Sequence, residues 1–275
     1  MRADARLRAR QLSRVAFASG MISLGIIGLV LRDFQRVWGR LPDWVPSPMV
    51  LAVACALVAL AAGIALLFRR TAATASMVAF VYVALWWLLF KVPPVVRMPL
   101  IGLTWVDGGM HAMLLAGAWA LFADVGGRPF PGGERGMRFA RLLFGLSLIP
   151  VGLSHFAYLS LTVPLIPTWL PFRTGWAYFT GACHLAAGLG VLFGVLPRLA
   201  AQLESLMLAL FTIIVWIPRV VAAPRTPLNW AEIWISWALT AAAAVVAAGI
   251  PPHDMAPNPP PRAPETRARE PLQHW

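Results

Sequence analysis

The chain has 275 residues, of which 59% are hydrophobic and only 12% are charged, whereas soluble domains carry about 25% charged residues. A soluble fold of this size could not bury so much apolar surface and keep a wettable exterior, so the composition predicts an integral membrane protein. The formal net charge of +12 comes from basic residues that lie between apolar runs and form no continuous stripe, and we therefore predict no nucleic-acid partner.

Eight apolar segments follow one another along the chain, each near the ~20 residues that a helix needs to cross the hydrocarbon core of a bilayer. Proline, glycine and arginine separate them. Because every backbone polar group must be paired internally within lipid, we expect each segment to be a helix. The predicted segments are residues 15–31, 49–68, 73–91, 105–123, 141–160, 174–194, 199–217 and 230–250.

The basic residues predict the orientation of these helices. With the N-terminus inside, the cytoplasmic parts of the chain hold 15 of the 23 lysines and arginines, which the positive-inside rule favours. We therefore place both termini in the cytoplasm of a bacterial-type plasma membrane. The arginines before the first segment are typical of a signal peptide, but Arg32, Asp33 and Arg36 follow it where a cleavage site would need small residues, so we keep it as a membrane helix.

The sequence matches itself when it is shifted by 125 residues without a gap. Leu41-Pro-Asp-Trp-Val-Pro46 falls on Ile166-Pro-Thr-Trp-Leu-Pro171, and Leu103-Thr-Trp-Val-Asp107 falls on Leu228-Asn-Trp-Ala-Glu232. The match includes prolines, tryptophans and an acidic position, which chance apolar similarity does not explain. It predicts two tandem four-helix units. Because four spans return the chain to its starting side, the units should be parallel and related by a pseudo-twofold axis along the membrane normal.

These patterns divide the chain into five parts. They are a basic cytoplasmic N-terminus (1–14), a first four-helix unit (15–123), a cytoplasmic linker (124–140), a second four-helix unit (141–250) and a tail (251–275). The tail is too polar and rich in proline to fold alone, and we predict that it is disordered. Cys55 and Cys183 lie in apolar runs outside any CxxC pair, as expected of small buried hydrophobic residues.

Ionisable side chains within the predicted spans are the candidate functional residues, because a charge in lipid is costly. They are concentrated in the second unit, at positions where the ungapped comparison gives the first unit apolar residues. The matched positions are His155 and Val30, Arg173 and Pro48, His184 and Ala59, and Glu204 and Ala79. The fourth helix keeps an acid in both units, as Asp107 and Glu232.

Four of these residues are expected to converge into one ligand site on the outer side. At 1.5 Å per residue, His155 and His184 lie in the outer part of their helices or near mid-membrane, and Arg173 and Glu232 lie at the outer surface. Glu204 lies beyond the midplane and is expected to be too far away to join them.

Each candidate also has a structural interpretation. His155 would bond a backbone carbonyl, and Arg173 would extend to the lipid headgroups. An acid in the first turn of the fourth helix favours the helix dipole. The ion pairs predicted between neighbouring residues are Glu204 with Arg198 and His111 with Asp107. We predict no metal site, because neither histidine has a cysteine or carboxylate at a helical ligand spacing.

Five stretches of the second unit form a pattern of an arginine-led first helix, a proline–tryptophan–proline loop and a glycine-rich second helix. They are Arg141-Leu-Leu-Phe-Gly145, Gly152-Leu-Ser-His-Phe156, Val163-Pro-Leu-Ile-Pro-Thr-Trp-Leu-Pro171, Thr180-Gly181 and Gly188-Leu-Gly-Val-Leu192. In these stretches the second unit resembles the DoxX-like family of small four-helix membrane proteins. The first unit joins the resemblance only through the repeat.

The resemblance implies a membrane subunit associated with quinone-linked oxidation of sulfur compounds or with an oxidative-stress complex. It places His155 at the family's polar position on the first helix, where the first unit departs with Leu29-Val30. The doubled form is itself a departure from the single unit of the family.

Three functions follow as hypotheses. The first is a quinone-associated subunit of a membrane redox system, in which His155 and His184 bond a quinone head group and Arg173 and Glu232 line its entrance. Such a subunit would have no intrinsic electron carrier and would depend on a protein partner. The second is a small-solute transporter working between parallel repeats, and the third is a non-catalytic membrane scaffold or assembly protein. Membrane lipids are expected partners in all three.

Overall fold

The computed structural model describes residues 2–33, 45–126 and 129–251. This part of the chain contains eight helices long and apolar enough to cross a membrane and no strand, which confirms the predicted all-α integral membrane class. The helices are α1 (Arg2–Leu31), α2 (Pro48–Leu67), α3 (Ala72–Arg97), α4 (Gly102–Val125), α5 (Gly133–Ala157), α6 (Arg173–Phe193), α7 (Pro197–Ala222) and α8 (Pro227–Gly249). The tail predicted to be disordered lies outside the described residues from position 252 onward.

Helix α1 begins well before the apolar segment that predicts it. Its 30 residues span about 45 Å at 1.5 Å per residue, which exceeds the ~30 Å hydrocarbon core. The basic residues of its first turns therefore continue the helix beyond the apolar layer.

Helices α3 and α7 continue past prolines at which the sequence pattern predicts an end. A π-helical turn at Trp87–Lys91 precedes Pro93 in α3, and a π-helical turn at Thr212–Trp216 precedes Pro218 in α7. A proline lacks the backbone donor and its ring needs room beside the preceding turn. The wider π turn provides that room, so the helix proceeds by one more turn or two.

The eight helices form a closed ring, and two of its members, α4 and α8, also meet across the centre. Neighbours along the chain pack against each other from α1 to α8, and α8 packs back against α1. Helices α4 and α8 also pack against each other. They are the most enclosed of the eight spans, since 72% and 56% of the residues in their apolar stretches are buried. They meet at Gly117 and Ala242, which are 125 residues apart in sequence. The contact at the centre thus joins two matched positions.

The boundaries of the helices recur at the same offset. Helix α2 shifted by 125 residues falls on α6, α3 falls on α7, and the π turn of α3 falls on that of α7. The residues before α2 and α6, Ser47 and Phe172, both have left-handed backbones, with φ of 49° and 53°.

The first helices of the two halves follow a different offset. Gly25 of α1 packs against Leu60 of α2, and Gly152 of α5 packs against Leu185 of α6. The matched glycines are 127 residues apart, whereas the matched leucines are 125 residues apart. Helix α5 is therefore displaced by two residues relative to the ungapped sequence comparison.

This displacement changes the counterpart of His155. The ungapped comparison matches His155 with Val30. The packing of α1 and α5 instead makes Gly28 the structural counterpart of His155. Gly28 lies against the side chain of Ala56, and His155 lies against Gly181 at the matched place. In the first half the glycine at this contact is on the first helix, as Gly28, and in the second half it is on the next helix, as Gly181. The absence of a side chain at Gly181 leaves room for the imidazole of His155.

The central contact predicts opposite outcomes for one substitution made at two glycines. Gly117→Ala should destabilise the protein by roughly 1–3 kcal/mol, because the new Cβ would overlap Ala242. Gly175→Ala is the matched control, since its Cβ would meet only the Cβ of Phe172 at 3.7 Å. In that control the higher helix propensity of alanine should stabilise the protein by up to about 1 kcal/mol. Thermal unfolding in detergent micelles checks both, and equal melting temperatures would contradict a close α4–α8 contact.

Candidate functional site

His184 of α6 and Glu204 of α7 form a buried hydrogen-bonded pair. The Nδ1 atom of His184 lies 2.8 Å from Oε1 of Glu204, and the side chains are 1% and 0% exposed. The expectation that Glu204 lies too far away is wrong. The two residues lie nine and seven residues from the turn that joins α6 to α7, so they differ in depth by only about 3 Å at 1.5 Å per residue.

The second carboxylate oxygen of Glu204 is also buried. Within the described part of the chain, Oε2 has no hydrogen-bond partner. The predicted pairing of Glu204 with Arg198 is therefore replaced by the pairing with His184. Buried polar atoms without partners are uncommon in folded proteins, and Oε2 is therefore a candidate position for binding a proton, a water molecule or a ligand.

His155 of α5 extends this pair toward the beginning of α6. Its ring centroid lies 5.1 Å from that of His184. Its Nδ1 lies 2.9 Å from Oγ1 of Thr180 and 3.3 Å from the carbonyl oxygen of Ala177. Because a carbonyl only accepts, Nδ1 of His155 carries a hydrogen, and Nε2 is left for other partners. The predicted carbonyl bond of His155 is thus present together with its contact to His184.

Arg173 has a structural task at the start of α6. Its guanidinium donates to the carbonyl oxygens of Ile166 at 3.0 Å and Val163 at 2.7 Å. These carbonyls belong to the proline-containing segment between α5 and α6. Arg173 therefore fastens that segment to the helix.

Glu232 does not join the histidines either. It is partly buried near the start of α8 and makes no side-chain hydrogen bond or ion pair with any described residue. Of the four residues expected to converge, the structure brings together His155 and His184, adds Glu204, and gives Arg173 and Glu232 no bond to that group.

A second ionic group lies in the first half. Lys91, whose side chain is only 2% exposed, donates to both carboxylate oxygens of Asp107, at 3.0 and 2.8 Å. Nδ1 of His111 lies 3.2 Å from Asp107 as well, so the predicted pairing of His111 with Asp107 is present. The sequence interpretation missed Lys91 as a site residue. Its signal was a lone lysine at the end of an apolar run.

A cavity of about 790 Å³ lies between α3, α4 and α5, beside this ionic group. Its wall is almost entirely apolar, and Lys91 is part of it. The other lining residues are Trp87, Val92, Val95, Gly102, Trp105, Val106, Gly108, Gly109, Ala112, Leu143, Leu146, Ser147, Ile149, Pro150, Leu153, Ser154, Ala157 and Tyr158. No pattern of residues along the chain predicts this cavity.

Few polar groups face the cavity. Ser147 and Ser154 donate their hydroxyl hydrogens to backbone carbonyls of their own helix, at 2.6 Å each. The hydroxyl of Tyr158 has no hydrogen-bond partner among the described residues and is free to donate. Pro150 cannot supply the helical donor to the carbonyl of Leu146, which also belongs to the wall. The cavity therefore combines a broad apolar surface with a few unused polar positions.

The equivalent place in the second half carries large side chains. Positions 109 and 112 are glycine and alanine in α4, and their counterparts in α8 are Trp234 and Trp237. Trp237 donates its indole hydrogen to Oγ of Ser19 on α1, at 2.9 Å. Small residues thus leave space between α4 and α5, whereas Trp237 occupies the matched space between α8 and α1.

Comparison of the chain with protein-family models, with curated proteins and with solved structures gave no match.

Proposed function

We propose that this multi-pass membrane protein binds a quinone-type lipophile in the cavity between α3, α4 and α5, as a subunit of a membrane redox system. The observation that carries the proposal is the apolar cavity of about 790 Å³ with Lys91 in its wall. Ligand pockets have volumes of about 300–1,000 Å³ and combine apolar walls with a few polar groups that orient the ligand. The cavity has both properties.

The polar groups of the wall suit a ligand whose head carries carbonyl oxygens. Lys91 has three donor hydrogens and uses two on Asp107, so one remains for a ligand. Tyr158, the residue directly after α5, supplies a hydroxyl donor. A quinone head needs donors to its two carbonyls and an apolar slot for its ring and chain. In this proposal Lys91 and Tyr158 hold the head, and the leucines and valines of the wall hold the apolar part.

The resemblance of the second half to the DoxX-like family supports the same function, because that family is associated with quinone-linked oxidation. We propose that the chain consists of two tandem DoxX-like units. The recurrence of the helix boundaries at 125 residues supports that duplication. The electron carrier would be supplied by a partner subunit, and the present chain would bind and orient the lipophile.

The geometry gives less support to transport between the halves. A pathway along the pseudo-twofold axis would separate α4 from α8, yet these helices are in direct contact at Gly117 and Ala242. The cavity lies to one side of that axis.

Binding of a short-chain ubiquinone analogue to the protein in lipid nanodiscs tests the proposal, with quenching of tryptophan fluorescence as the signal. Trp87 and Trp105 line the cavity and should respond. Tyr158→Phe removes one donor without changing the shape of the wall and should weaken binding about fivefold, which corresponds to about 1 kcal/mol.

Tyr178→Phe, made in the exposed part of α6, is the matched control and should bind like the wild type. Absence of saturable binding, or equal affinity in wild type and Tyr158→Phe, would contradict the proposed site. A protein partner that purifies with the chain while no quinone binds would favour the scaffold hypothesis.

A further inference from the structure

The His184–Glu204 pair is enclosed within the second half, away from the ends of its helices. His184 is the twelfth residue of α6, which has 21, and Glu204 is the eighth residue of α7. Both side chains are almost completely buried. Ionisable groups at this depth are costly and are characteristic of proton and ion pathways in membrane proteins.

The pair has an unused atom on each side of its hydrogen bond. An ionised carboxylate only accepts, so the Nδ1–H of His184 donates to Oε1 of Glu204, and Nε2 of His184 is left as an acceptor. Oε2 of Glu204 is buried without a partner among the described residues. Either atom can receive one additional proton.

The geometry favours a proton over a metal ion as the ligand. Among the described residues no group of three or more histidine, cysteine or acidic side chains converges closely enough to hold a metal ion. His155 directs its Nδ1 to Thr180 and Ala177 instead of toward Glu204.

The surroundings of the pair contain few other charges. Helix α5 presents the ring of His155 to His184, and Cys183 of α6 is a further titratable group near Glu204. Between α7 and α8 the hydrogen bonds near the pair join neutral groups: the hydroxyls of Thr212 and Ser236 bond each other, and the hydroxyl of Ser205 donates to the carbonyl of Thr240.

Phe211 of α7, an apolar ring, also lies beside the His184 ring, with a centroid distance of 6.1 Å. His155 is therefore the neighbouring titratable ring in contact with the pair, and its Thr180 partner lies toward the beginning of α6.

We propose that His184 and Glu204 form an intramembrane proton-binding site, and that His155 is the group through which the proton enters and leaves. In the loaded state one additional proton resides on Nε2 of His184 or on Oε2 of Glu204. On release that proton passes to Nε2 of His155 and from there to water at the end of the bundle where α6 begins. This proposal is independent of ligand binding in the cavity.

The first half provides a natural control for the site. The positions matched with His184 and Glu204 are Ala59 and Ala79, which are 1% and 0% exposed. The same pair of helices thus packs with two alanines in the other half. The double variant His184→Ala/Glu204→Ala reproduces the alanine pair of the first half and is expected to fold. A single replacement would leave one buried polar group without its partner.

The test is nitrogen-15 NMR of the full-length protein in nanodiscs, labelled on histidine, over the range from about pH 5 to about pH 8. The resonances of His184 and His155 are identified by their loss in His184→Ala/Glu204→Ala and in His155→Asn. In the wild type we expect the ring-nitrogen resonances of His184 to change once over this range as the pair takes up its proton, and the resonances of His155 to change with them.

In Glu204→Gln the linked change of His155 should be lost or displaced, because the amide cannot take up or release the proton. In the double variant, the resonances of His155 should no longer show the change linked to the pair. Two outcomes overturn the proposal: the ring-nitrogen resonances of His184 stay the same over the whole range, or the resonances of His155 behave identically in the wild type and the double variant. Either result would assign the pair a purely structural role.

Discussion

Ala112→Trp should abolish binding of the quinone analogue in the cavity between α3, α4 and α5. Ala112 is in the cavity wall, and the matched position in the second half is Trp237, whose indole occupies the equivalent space against α1. An indole at position 112 would fill the slot that the ring of the ligand needs. We expect the affinity to fall by at least about 100-fold, which corresponds to about 2.8 kcal/mol.

The measurement is equilibrium binding of a radiolabelled quinone analogue in nanodiscs, because an added tryptophan would disturb a fluorescence signal. Ala112→Ser, which changes the volume little, is the control and should bind like the wild type. The thermal unfolding of Ala112→Trp should stay close to that of the wild type, since the protein accommodates tryptophan at the matched position. Unchanged affinity in a folded Ala112→Trp protein would show that the ligand binds elsewhere.

The second large effect concerns the His184–Glu204 pair. His184→Ala should destabilise the protein by about 3–5 kcal/mol, because it leaves Glu204 buried without its partner. His184→Ala/Glu204→Ala should be less destabilised than the sum of the two single replacements, since it removes both polar groups. We expect a coupling free energy of about 1–3 kcal/mol between the two residues.

A double-mutant cycle, with unfolding in detergent micelles as the readout, measures this coupling. Ser205→Ala is a control in the same helix, since Ser205 makes only one neutral hydrogen bond, to the carbonyl of Thr240. It should cost about 1 kcal/mol. Additive free energies for His184→Ala and Glu204→Ala would contradict the hydrogen bond between them.

The number and type of the helices could be predicted from sequence because the bilayer imposes them. An apolar run of about 20 residues has to be helical in lipid, whatever its neighbours are. The ends were less predictable. Pro93 predicts an end of α3, but the π turn at Trp87–Lys91 lets the helix continue, and such a turn leaves no clear pattern in the residues.

The candidate site was predictable only in part. A histidine or glutamate in an apolar run is conspicuous, and the sequence therefore identified His155, His184 and Glu204. Which of them meet depends on the rotation and pairing of the helices. A comparison of depth along each helix separated Glu204 from His184, although about 3 Å of depth is easily spanned by two side chains.

The cavity could not be predicted because it results from the absence of large side chains at a few positions. Gly109 and Ala112 are unremarkable in a membrane helix, where close packing between helices favours such residues. Their effect on the space between helices is recognised only by comparison with the equivalent positions of α8, which are Trp234 and Trp237. Lys91 was missed for a related reason, since its partner Asp107 lies on a different helix.

The direct contact of α4 with α8 bears on how differences between the halves can persist. Two identical subunits meeting at Gly117 and Ala242 would be encoded by one stretch of gene, and every substitution would appear on both sides of the axis at once. In a continuous chain the two sides are inherited separately. One side can therefore keep open space beside Ala112 while Trp237 fills the matched space on the other side.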